Sequence, residues 1–243
     1  RGRASGVGMV LPVGVRDRVA AVHRGSALPE RLRLYDGWAA RYEQDVAALE
    51  YRAPHLAAAS LAFAFPAPPA GARLLDVACG TGLVARELHR RGFCCLHGVD
   101  GSAGMLERAR STGLYQELRR CVLGREPLPA PAEHYDAVTV VGALGEGQVP
   151  STVLPELLRV TKPGGFLCLT TRSNPSNLRY KAELEAALGL LERSGAWQKL
   201  LAQEVKHWER ATSEEEEDTR GTGYISGVVY IYQKCPVPTL EED

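Results

Sequence analysis

The chain has 243 residues, of which 45% are hydrophobic and 24% are charged, and this suits one large globular domain with a sizeable core. Lys and Arg together number 29 and Asp and Glu together number 29, so the formal net charge is zero. Such a balance argues against a general binder of nucleic acid or of membranes, because both attract a positive protein surface.

The N-terminal quarter of the chain is predicted to be helical. The Gly-rich stretch before Met9 is typical of an added or disordered segment, so we leave residues 1–14 out of the fold. Residues 15–33 have a basic, weakly amphipathic pattern that predicts one or two short helices, and helical character strengthens over residues 34–62. One apolar and aromatic face recurs there at three- and four-residue steps, formed by Tyr35, Trp38, Tyr42, Val46 and Leu49. We therefore predict a helical segment over residues 15–65, which a Pro-rich break at residues 65–71 separates from the rest.

From residue 71 onward, short apolar runs alternate with amphipathic helices, which indicates βαβ units and a parallel sheet covered on both faces. The predicted strands of this region are Arg73–Ala78, Phe93–Val99, Leu118–Leu123, Tyr135–Val141 and Gly165–Arg172. The predicted helices between them are Leu83–Arg91, Ala103–Ser111 and Val153–Val160.

The C-terminal part of the chain is predicted to end the sheet with a hairpin. The pattern from Leu178 to Leu201 predicts one long amphipathic helix or two, ending near Trp197. Residues 204–210 and the β-branched and aromatic run at residues 227–234 are predicted antiparallel strands, joined by an acidic turn at residues 212–223. We expect residues 71–243 to form the core and residues 15–243 to form a single domain.

The most informative motif is the turn Asp76-Val77-Ala78-Cys79-Gly80-Thr81-Gly82, which follows a predicted strand and precedes a helix. Gly80 and Gly82 allow the backbone to turn sharply and to approach a ligand that a Cβ would block. The following helix directs free amide N–H groups toward the same space. The next strand ends at Asp100, where a carboxylate can accept hydrogen bonds from the hydroxyls of a ribose. Together these features predict a nucleoside site at the carboxyl ends of adjacent strands.

The spacing of this turn does not by itself separate a dinucleotide from another nucleoside ligand. The dinucleotide pattern tolerates Ala in its third glycine position, and Ala85 stands there. An NAD(P)-dependent oxidoreductase is therefore one alternative, although we expect this chain to lack the Tyr-x-x-x-Lys catalytic pair that such enzymes usually add. An RNA-binding module is a further alternative, which the zero net charge disfavours.

The stretches LLDVACGTGLVARELHRRGF and LHGVDGSAGMLERAR resemble the class I methyltransferases that depend on S-adenosylmethionine (SAM). The stretches YDAVTVVGAL and LLRVTKPGGFLCLTTR are similar to that family's fourth and fifth strand regions. The resemblance covers residues 73–172 firmly and the C-terminal hairpin loosely. It implies a Rossmann-like α/β fold with a seven-stranded, mostly parallel sheet, helices on both faces and an antiparallel C-terminal edge hairpin. It also implies SAM as cofactor, S-adenosylhomocysteine as product and no metal.

The resemblance assigns cofactor contacts to individual positions of this chain. The positions at the methionine part of SAM are Asp76, Ala78, Gly80 and Gly82. Asp100 would hold the ribose, and the residues bordering the adenosine are Gly101, Ser102, Met105, Leu123 and Gly124. The residues facing the transferable methyl are Val141 and Gly142. From the helical N-terminal segment, the residues expected over SAM as a lid are Tyr35, Tyr42 and Arg52, with Arg52 suited to the SAM carboxylate. Packing of helix against sheet is the alternative role for Met105 and Trp38.

The family has no universal catalytic residue, because the sulfonium already makes the methyl carbon electrophilic and the protein aligns the acceptor and excludes water. Glu146 is the nearest candidate base, and a solvated loop acid is the alternative reading of it. Arg172 could bind an acidic group of the substrate or form an ion pair with a neighbouring acid. We exclude His134, at the amino end of a strand, as a catalytic group. For His97, within a strand, packing is favoured over a catalytic role.

The methyl acceptor is expected to be a small molecule or a protein. Amino-group methylases of nucleic acid or Gln often carry Asn/Asp-Pro-Pro-aromatic after the fourth strand, and residues 141–146 read VGALGE instead. We therefore expect no bulk nucleic-acid substrate. The alternative is a SAM- or S-adenosylhomocysteine-binding protein with little or no catalytic activity, acting as a sensor or an assembly partner.

The remaining expectations concern partners and location. The six cysteines contain no CxxC pair, so we expect no metal site and reduced, mostly buried thiols. No apolar run reaches the length of a membrane span, and no secretory leader pattern is present. These features predict a monomer without a membrane partner, located in the cytoplasm or the nucleus and not secreted.

Overall fold

The computed structural model describes residues 11–24, 27–66, 68–217 and 221–236. Parts of several expectations lie outside the described residues. These are residues 1–10 of the irregular start, residues 25–26 of the first helical stretch, Ala67 of the Pro-rich break and residues 218–220 of the acidic turn. The last residues assigned to the core, 237–243, lie outside them as well.

Within the described residues, four helices precede the sheet: α1 (Val15–His23), α2 (Leu28–Trp38), α3 (Tyr42–Ala48) and α4 (Ala53–Ala64). The predicted aromatic face is divided between α2 and α3, because the chain leaves the helix after Trp38. The buried carboxylate of Asp45 ties α1, α2 and α3 together. It accepts a hydrogen bond of 2.7 Å from the Trp38 indole and one of 2.8 Å from the Arg18 guanidinium. Trp38 and Leu49 also pack with Val15 and other apolar residues of α1 in a small cluster.

In the described part of the chain, the sheet has seven strands: β1 (Arg73–Val77), β2 (Cys95–Asp100), β3 (Glu117–Arg120), β4 (Tyr135–Val140), β5 (Thr161–Arg172), β6 (Trp197–Arg210) and β7 (Tyr224–Lys234). Their order across the sheet is β3-β2-β1-β4-β5-β7-β6. Neighbouring strands among β1 to β5 run parallel, and β7 is antiparallel to both β5 and β6. The predicted Rossmann-like, mostly parallel sheet with an antiparallel C-terminal hairpin is confirmed.

Helices cover both faces of the sheet, and those that follow β1 are α5 (Leu83–Arg90), α6 (Ala103–Ser111), α7 (Leu154–Val160) and α8 (Leu178–Arg193). One core cluster packs α7 and α8 against the sheet through residues such as Leu157 and Leu184. Another packs α4 and α5 against the sheet through Ala57 and Leu88. Because alternate strand residues point to opposite faces, Leu74 joins one cluster and its neighbour Leu75 joins the other. The two covered faces leave the carboxyl ends of β1, β2, β4 and β5 as the edge where loops converge.

The prediction of a helix over residues 178–201 is confirmed up to Arg193 and was wrong for residues 194–201. Helix α8 ends at Arg193, and Trp197 begins β6, a strand of 14 residues. Gly195 has a φ of 78° and stops the helix, with the Ala196 amide hydrogen-bonded back to the Leu191 carbonyl oxygen. Most β6 side chains are exposed, so their polarity does not show the alternation that would have predicted a strand. Pairing with β7 then decides the conformation.

Candidate active site

The Gly-rich turn after β1 has the backbone conformation that the sequence predicts for close approach of a ligand. The φ angles are 55° at Gly80 and 99° at Gly82, a left-handed region that favours glycine. The Asp100 carboxylate holds the turn, because it accepts hydrogen bonds from the Gly80 amide at 2.9 Å and the Ser102 amide at 2.8 Å. Burial raises the pKa of Asp100 against the effect of these two hydrogen bonds. The turn and the acid therefore form one unit at the carboxyl ends of β1 and β2.

A cleft with about 810 Å³ of empty space, partly open to solvent, lies above this unit. We call it the main cleft. The sequence-predicted residues that line it are Tyr35, Tyr42, Ala78, Gly80, Asp100, Gly101, Met105, Leu123, Val141 and Gly142. These come from α2, α3, the ends of β1, β2 and β4, the start of α6 and the loop after β3. The Met105 side chain is 2% exposed, so it lines the cleft while packing in the core.

Two of the predicted cofactor residues support the cleft from behind its surface. The Asp76 carboxylate is buried and accepts hydrogen bonds from Tyr115 Oη at 2.7 Å and from Thr139 Oγ1 at 3.0 Å. Burial raises the pKa of Asp76 to about 7. Ser102 caps α6 by accepting the Met105 amide at 3.1 Å, and its hydroxyl donates to the Asp36 carboxylate at 2.5 Å.

Three other predicted residues are not brought into the lining of the main cleft. Arg52 donates a hydrogen bond of 3.2 Å to the His207 carbonyl oxygen on β6, so its guanidinium is turned toward the edge strand. Gly82 faces the ring of Tyr115, and Gly124 packs against Pro150.

Sequence reasoning missed several lining residues of the main cleft, mainly Leu28, Arg31 and Leu32 on α2, residues 121–122 after β3, and Ala143, Gln148 and Val149 after β4. No local motif marks them, since helix packing and loop closure bring them to the cleft. Gln148 joins the loop after β4 to the helical segment. Its side chain accepts a hydrogen bond from Tyr35 Oη at 3.1 Å and donates to the Val22 carbonyl oxygen at 2.7 Å. It therefore fastens α1 and α2 to that loop.

A second chamber adjoins the main cleft at Gly142, Ala143 and Gln148. It contains about 600 Å³ of empty space, again partly open to solvent. Its walls come from the carboxyl end of β5, the loop after β4, residues 174–177, Tyr51 and Trp208. Asn177 joins three of these walls, because it accepts the Glu146 amide at 2.8 Å and donates to Thr171 Oγ1 at 3.0 Å and the Arg172 carbonyl oxygen at 2.7 Å.

Arg172 lines this second chamber, and its guanidinium forms an ion pair with a neighbouring acid. Arg172 Nε lies 2.7 Å from Glu209 Oε1, and Arg172 Nη1 lies 2.9 Å from His23 Nε2. His23 Nδ1 lies 2.8 Å from the Val19 carbonyl oxygen. Burial and the Arg172 charge lower the pKa of His23 to about 4, so the neutral ring donates to Val19 and accepts from Arg172. Glu209 is buried, which raises its pKa against the effect of Arg172.

The other ionisable residues considered from the sequence lie at the rim or elsewhere. Glu146 is exposed at the rim of the second chamber. His97 Nδ1 lies 2.9 Å from Tyr135 Oη. His134 Nε2 lies 3.0 Å from Arg73 Nη1, at the start of β1. Neither imidazole lines the main cleft or the second chamber.

The expected absence of a Tyr-x-x-x-Lys spacing was wrong, because Tyr230 and Lys234 have it. Both residues lie on β7, and their polar groups are engaged elsewhere. Tyr230 Oη donates to the Glu185 carboxylate at 2.6 Å. Lys234 Nζ donates to the carbonyl oxygens of Leu158 and Thr161, each at 2.8 Å. Two groups held apart in this way do not form the catalytic pair of an oxidoreductase.

The fit of a SAM-like ligand to the main cleft can be judged from its polar groups. Thr81 Oγ1, within the Gly-rich turn, has no hydrogen-bond partner among the described residues, but it is buried and does not line the cleft. The cleft lining contains a carboxylate, that of Asp100, and apolar side chains such as Met105 and Leu123 form a wall suited to a nucleobase. Within the described ranges, no group of three His, Cys, Asp or Glu side chains is placed to hold a metal. In the same ranges, no helix is both long and apolar enough to cross a membrane.

Comparison with known proteins agrees with this geometry. A family model described as a methyltransferase domain matches residues 75–169, which include the Gly-rich turn and Asp100. Human methyltransferase-like protein 27 is 59% identical over 188 residues, covering 77% of this chain and 76% of the relative. The chain belongs to the class I SAM-dependent methyltransferases.

More distant relatives of this methyltransferase share its core. The ubiquinone biosynthesis O-methyltransferase of Hahella chejuensis is 32% identical over 162 residues, which covers 63% of this chain and 67% of that protein. A SAM-dependent methyltransferase from Mesorhizobium loti has a TM-score of 0.52 at 18% identity, covering 73% of this chain and 98% of that one. Geranyl diphosphate methyltransferase, solved with GPP and sinefungin, has a TM-score of 0.54 at 18% identity over 72% of this chain and 76% of that one. These two structures show a shared fold.

Proposed function

We propose that this methyltransferase binds SAM in the main cleft and transfers its methyl group in line to a small molecule or protein that enters the second chamber. The observation that carries the proposal is the junction of the two cavities at Gly142, the residue that follows β4 by two positions. A cofactor on one side and an acceptor on the other would meet there, which favours an aligned transfer.

The residues proposed to hold SAM are those that line the main cleft. Asp100 accepts hydrogen bonds from the ribose, while Met105 and Leu123 contact the adenine. Gly80 allows the methionine part to approach the backbone. SAM itself supplies the electrophilic methyl group. The protein orients the acceptor and excludes water.

A small-molecule acceptor has additional support from the relatives. The Hahella chejuensis protein is named for ubiquinone biosynthesis, and two relatives from Mycobacterium, 33% identical over 146 residues, are named demethylmenaquinone methyltransferases. Quinones of this kind are small molecules. The second chamber is a pocket between loops, and a pocket suits an acceptor of this class better than a folded macromolecule.

Calorimetry with the purified chain tests the cofactor proposal. SAM and S-adenosylhomocysteine should both bind, and NAD should bind far more weakly, because the cleft is arranged for one nucleoside. Absence of binding heat at millimolar SAM would contradict the proposal.

One observation favours the alternative of a SAM-binding protein with little activity. Arg172, Glu209 and His23 pair with one another, so no free base faces the centre of the second chamber from this group. Turnover of labelled SAM to S-adenosylhomocysteine in the presence of fractionated cell extract separates the two functions. Binding without turnover in every fraction would favour the alternative.

A further inference from the structure

The hydroxyl group of Tyr51 lies at the junction of the two cavities. A Cβ at Gly142 would overlap the Tyr51 hydroxyl oxygen, so this position needs a glycine, and its φ of 76° is also in the left-handed region. The turn that carries Tyr51 is fixed to the edge strand on both sides. The Arg52 amide donates to the Trp208 carbonyl oxygen at 3.0 Å, and the Arg210 amide donates to the Leu49 carbonyl oxygen at 2.7 Å. The Tyr51 ring is therefore held in place at the junction.

The Tyr51 hydroxyl has no hydrogen-bond partner among the residues that the structure describes, whereas the Tyr35 hydroxyl donates to Gln148. Burial and the Glu209 charge raise the pKa of Tyr51 well above its usual value, so the hydroxyl stays protonated. A half-buried polar group without a partner usually has one in the functional complex, in the form of water or a ligand. Its position beside Gly142 indicates that this ligand is the acceptor.

Among the described residues, the ionisable groups near the centre of the second chamber include no unpaired base. Both ring nitrogens of His23 are engaged, Arg172 is a permanent cation, and Tyr51 is protonated. Glu209 is paired with Arg172, and Glu146 is exposed at the rim. An alcohol or a thiol must lose a proton to become a strong nucleophile, whereas a neutral amine attacks through its own lone pair.

We propose that the acceptor is a small primary or secondary amine whose N–H group donates a hydrogen bond to the Tyr51 hydroxyl oxygen. This inference rests on the proposed function. The hydrogen bond leaves the nitrogen lone pair free to point at the methyl carbon. As the N–C bond forms, the C–S bond breaks and its electron pair goes to sulfur, giving the thioether S-adenosylhomocysteine and a methylated ammonium. The ammonium proton is lost to solvent after release.

The charges around the chamber suit this reaction. Positive charge moves from sulfur to nitrogen, so no net charge is created. The Glu209 carboxylate lies close enough to raise the pKa of Tyr51, and the aromatic rings of Tyr51 and Trp208 line the chamber. The Glu209 carboxylate and the Arg172 guanidinium form an ion pair, so the charges beside the chamber are close to balanced and a transfer that creates no net charge is not opposed.

The test uses three probes that differ only in the attacking atom: benzylamine, benzyl alcohol and benzyl mercaptan. With tritium-labelled SAM and the full chain, label should pass to benzylamine and not to the other two. Tyr51→Phe should lower kcat/KM for benzylamine about tenfold, the effect of one lost hydrogen bond, without changing SAM affinity. Tyr232→Phe is the matched control, because it removes a tyrosine hydroxyl from β7 where the ring packs on Trp197. It should behave as the wild type does.

The pH profile gives a second readout, since the amine must be neutral to react. With benzylamine and the less basic 4-nitrobenzylamine, the midpoint of the rate profile should follow the pKa of each amine. A midpoint shared by both amines would reveal a protein base and overturn the proposal. Transfer to the alcohol or thiol, or to no probe in protein that binds SAM, would also overturn it. Loss of SAM binding itself would instead be a failure of the proposed function.

Discussion

At the scale of single residues, Asp100 combines two duties, because its carboxylate both fixes the Gly80 turn and stands at the proposed ribose position. Asp100→Ala should therefore weaken SAM binding by about 1.5–3 kcal/mol, the usual contribution of hydrogen bonds to a charged group. Calorimetry on the variant measures the loss, and circular dichroism checks that the fold survives. Unchanged affinity in a folded variant would mean that the ribose lies elsewhere.

A second prediction concerns Asp76 and the dependence of the free energy of unfolding on pH. Its pKa is raised from 3.8 to about 7 by burial, so the folded protein holds this proton at a pH where the unfolded chain has lost it. The stabilisation from the protonated group is complete below about pH 4 and is lost as the pH rises through about 7. A shift of about three pKa units corresponds to at most about 4 kcal/mol.

Asp76→Asn removes this titration. Urea unfolding of both proteins at about pH 4 and about pH 8 should show the wild type losing stability relative to the variant as the pH rises. Other titrating groups, His23 among them, act in both proteins and cancel in the difference. Parallel pH profiles for the two proteins would show that Asp76 is ionised in the folded state.

Sequence reasoning could place in the site the residues that belong to a local motif or to a stretch that resembles the family, which include Tyr35 and Tyr42. The Gly80 turn and Asp100 depend on two adjacent βα units, so their roles follow from local spacing. Gln148 and Tyr51 reach the site through loops whose course depends on distant packing, and neither belongs to a motif. Arg52 was predicted to contact the cofactor, but it is not in the lining of the main cleft. Its hydrogen bond to β6 turns the side chain away from the cleft, although the residue is adjacent to Tyr51.

At the scale of elements, α2 and α3 lie over the main cleft and are held there by a few polar contacts. Tyr35 binds Gln148, and the Asp36 carboxylate accepts hydrogen bonds from Ser102 and from the Gly104 amide at 2.9 Å. These contacts fasten α2 to both sides of the cleft. A segment with such a role should open to admit the cofactor and close over it.

We therefore predict that residues 34–52 act as a lid. Amide hydrogen exchange in this segment should slow strongly when SAM is added, because closing segments are among the less stable parts of a structure. Tyr42→Ala should weaken SAM binding without unfolding the protein. Equal protection with and without SAM would assign the segment to the core, a reading that the buried Trp38 and Leu49 side chains also allow.

Both boundaries of α6 were predicted at the residues where the structure has them, whereas for β6 only the end at Arg210 was. Ser102 caps α6 through its own side chain, a signal present in the local sequence. Strand β6 is an edge strand whose exposed residues lack a two-residue alternation. Residues 204–210 were predicted as a strand, whereas residues 197–201 were assigned to the preceding helical stretch. The conformation of that first half depends on pairing with β7, which follows later in the chain.

At the scale of the whole molecule, the balanced charge predicts which polymers are not substrates. The chain should not methylate bulk DNA or RNA, because it has no excess of basic residues to attract phosphate. Incubation with labelled SAM and either polymer at physiological salt should leave the polymer unlabelled. Robust labelling would contradict this prediction and would reopen the choice of acceptor.

The position of β7 between β5 and β6 also affects the order in which parts of the site can form during synthesis. Because β6 precedes β7 in the sequence, it is synthesised first. The growing chain therefore contains this long strand before the strand that pairs with it in the sheet. The turn that holds Tyr51 is fixed by backbone hydrogen bonds to residues 208 and 210 of β6. The Gly80 turn and Asp100, made much earlier, need neither strand. During synthesis, the Gly80 turn and Asp100, which belong to the main cleft, can thus form before the Tyr51 side of the second chamber, where the methyl acceptor is proposed to bind.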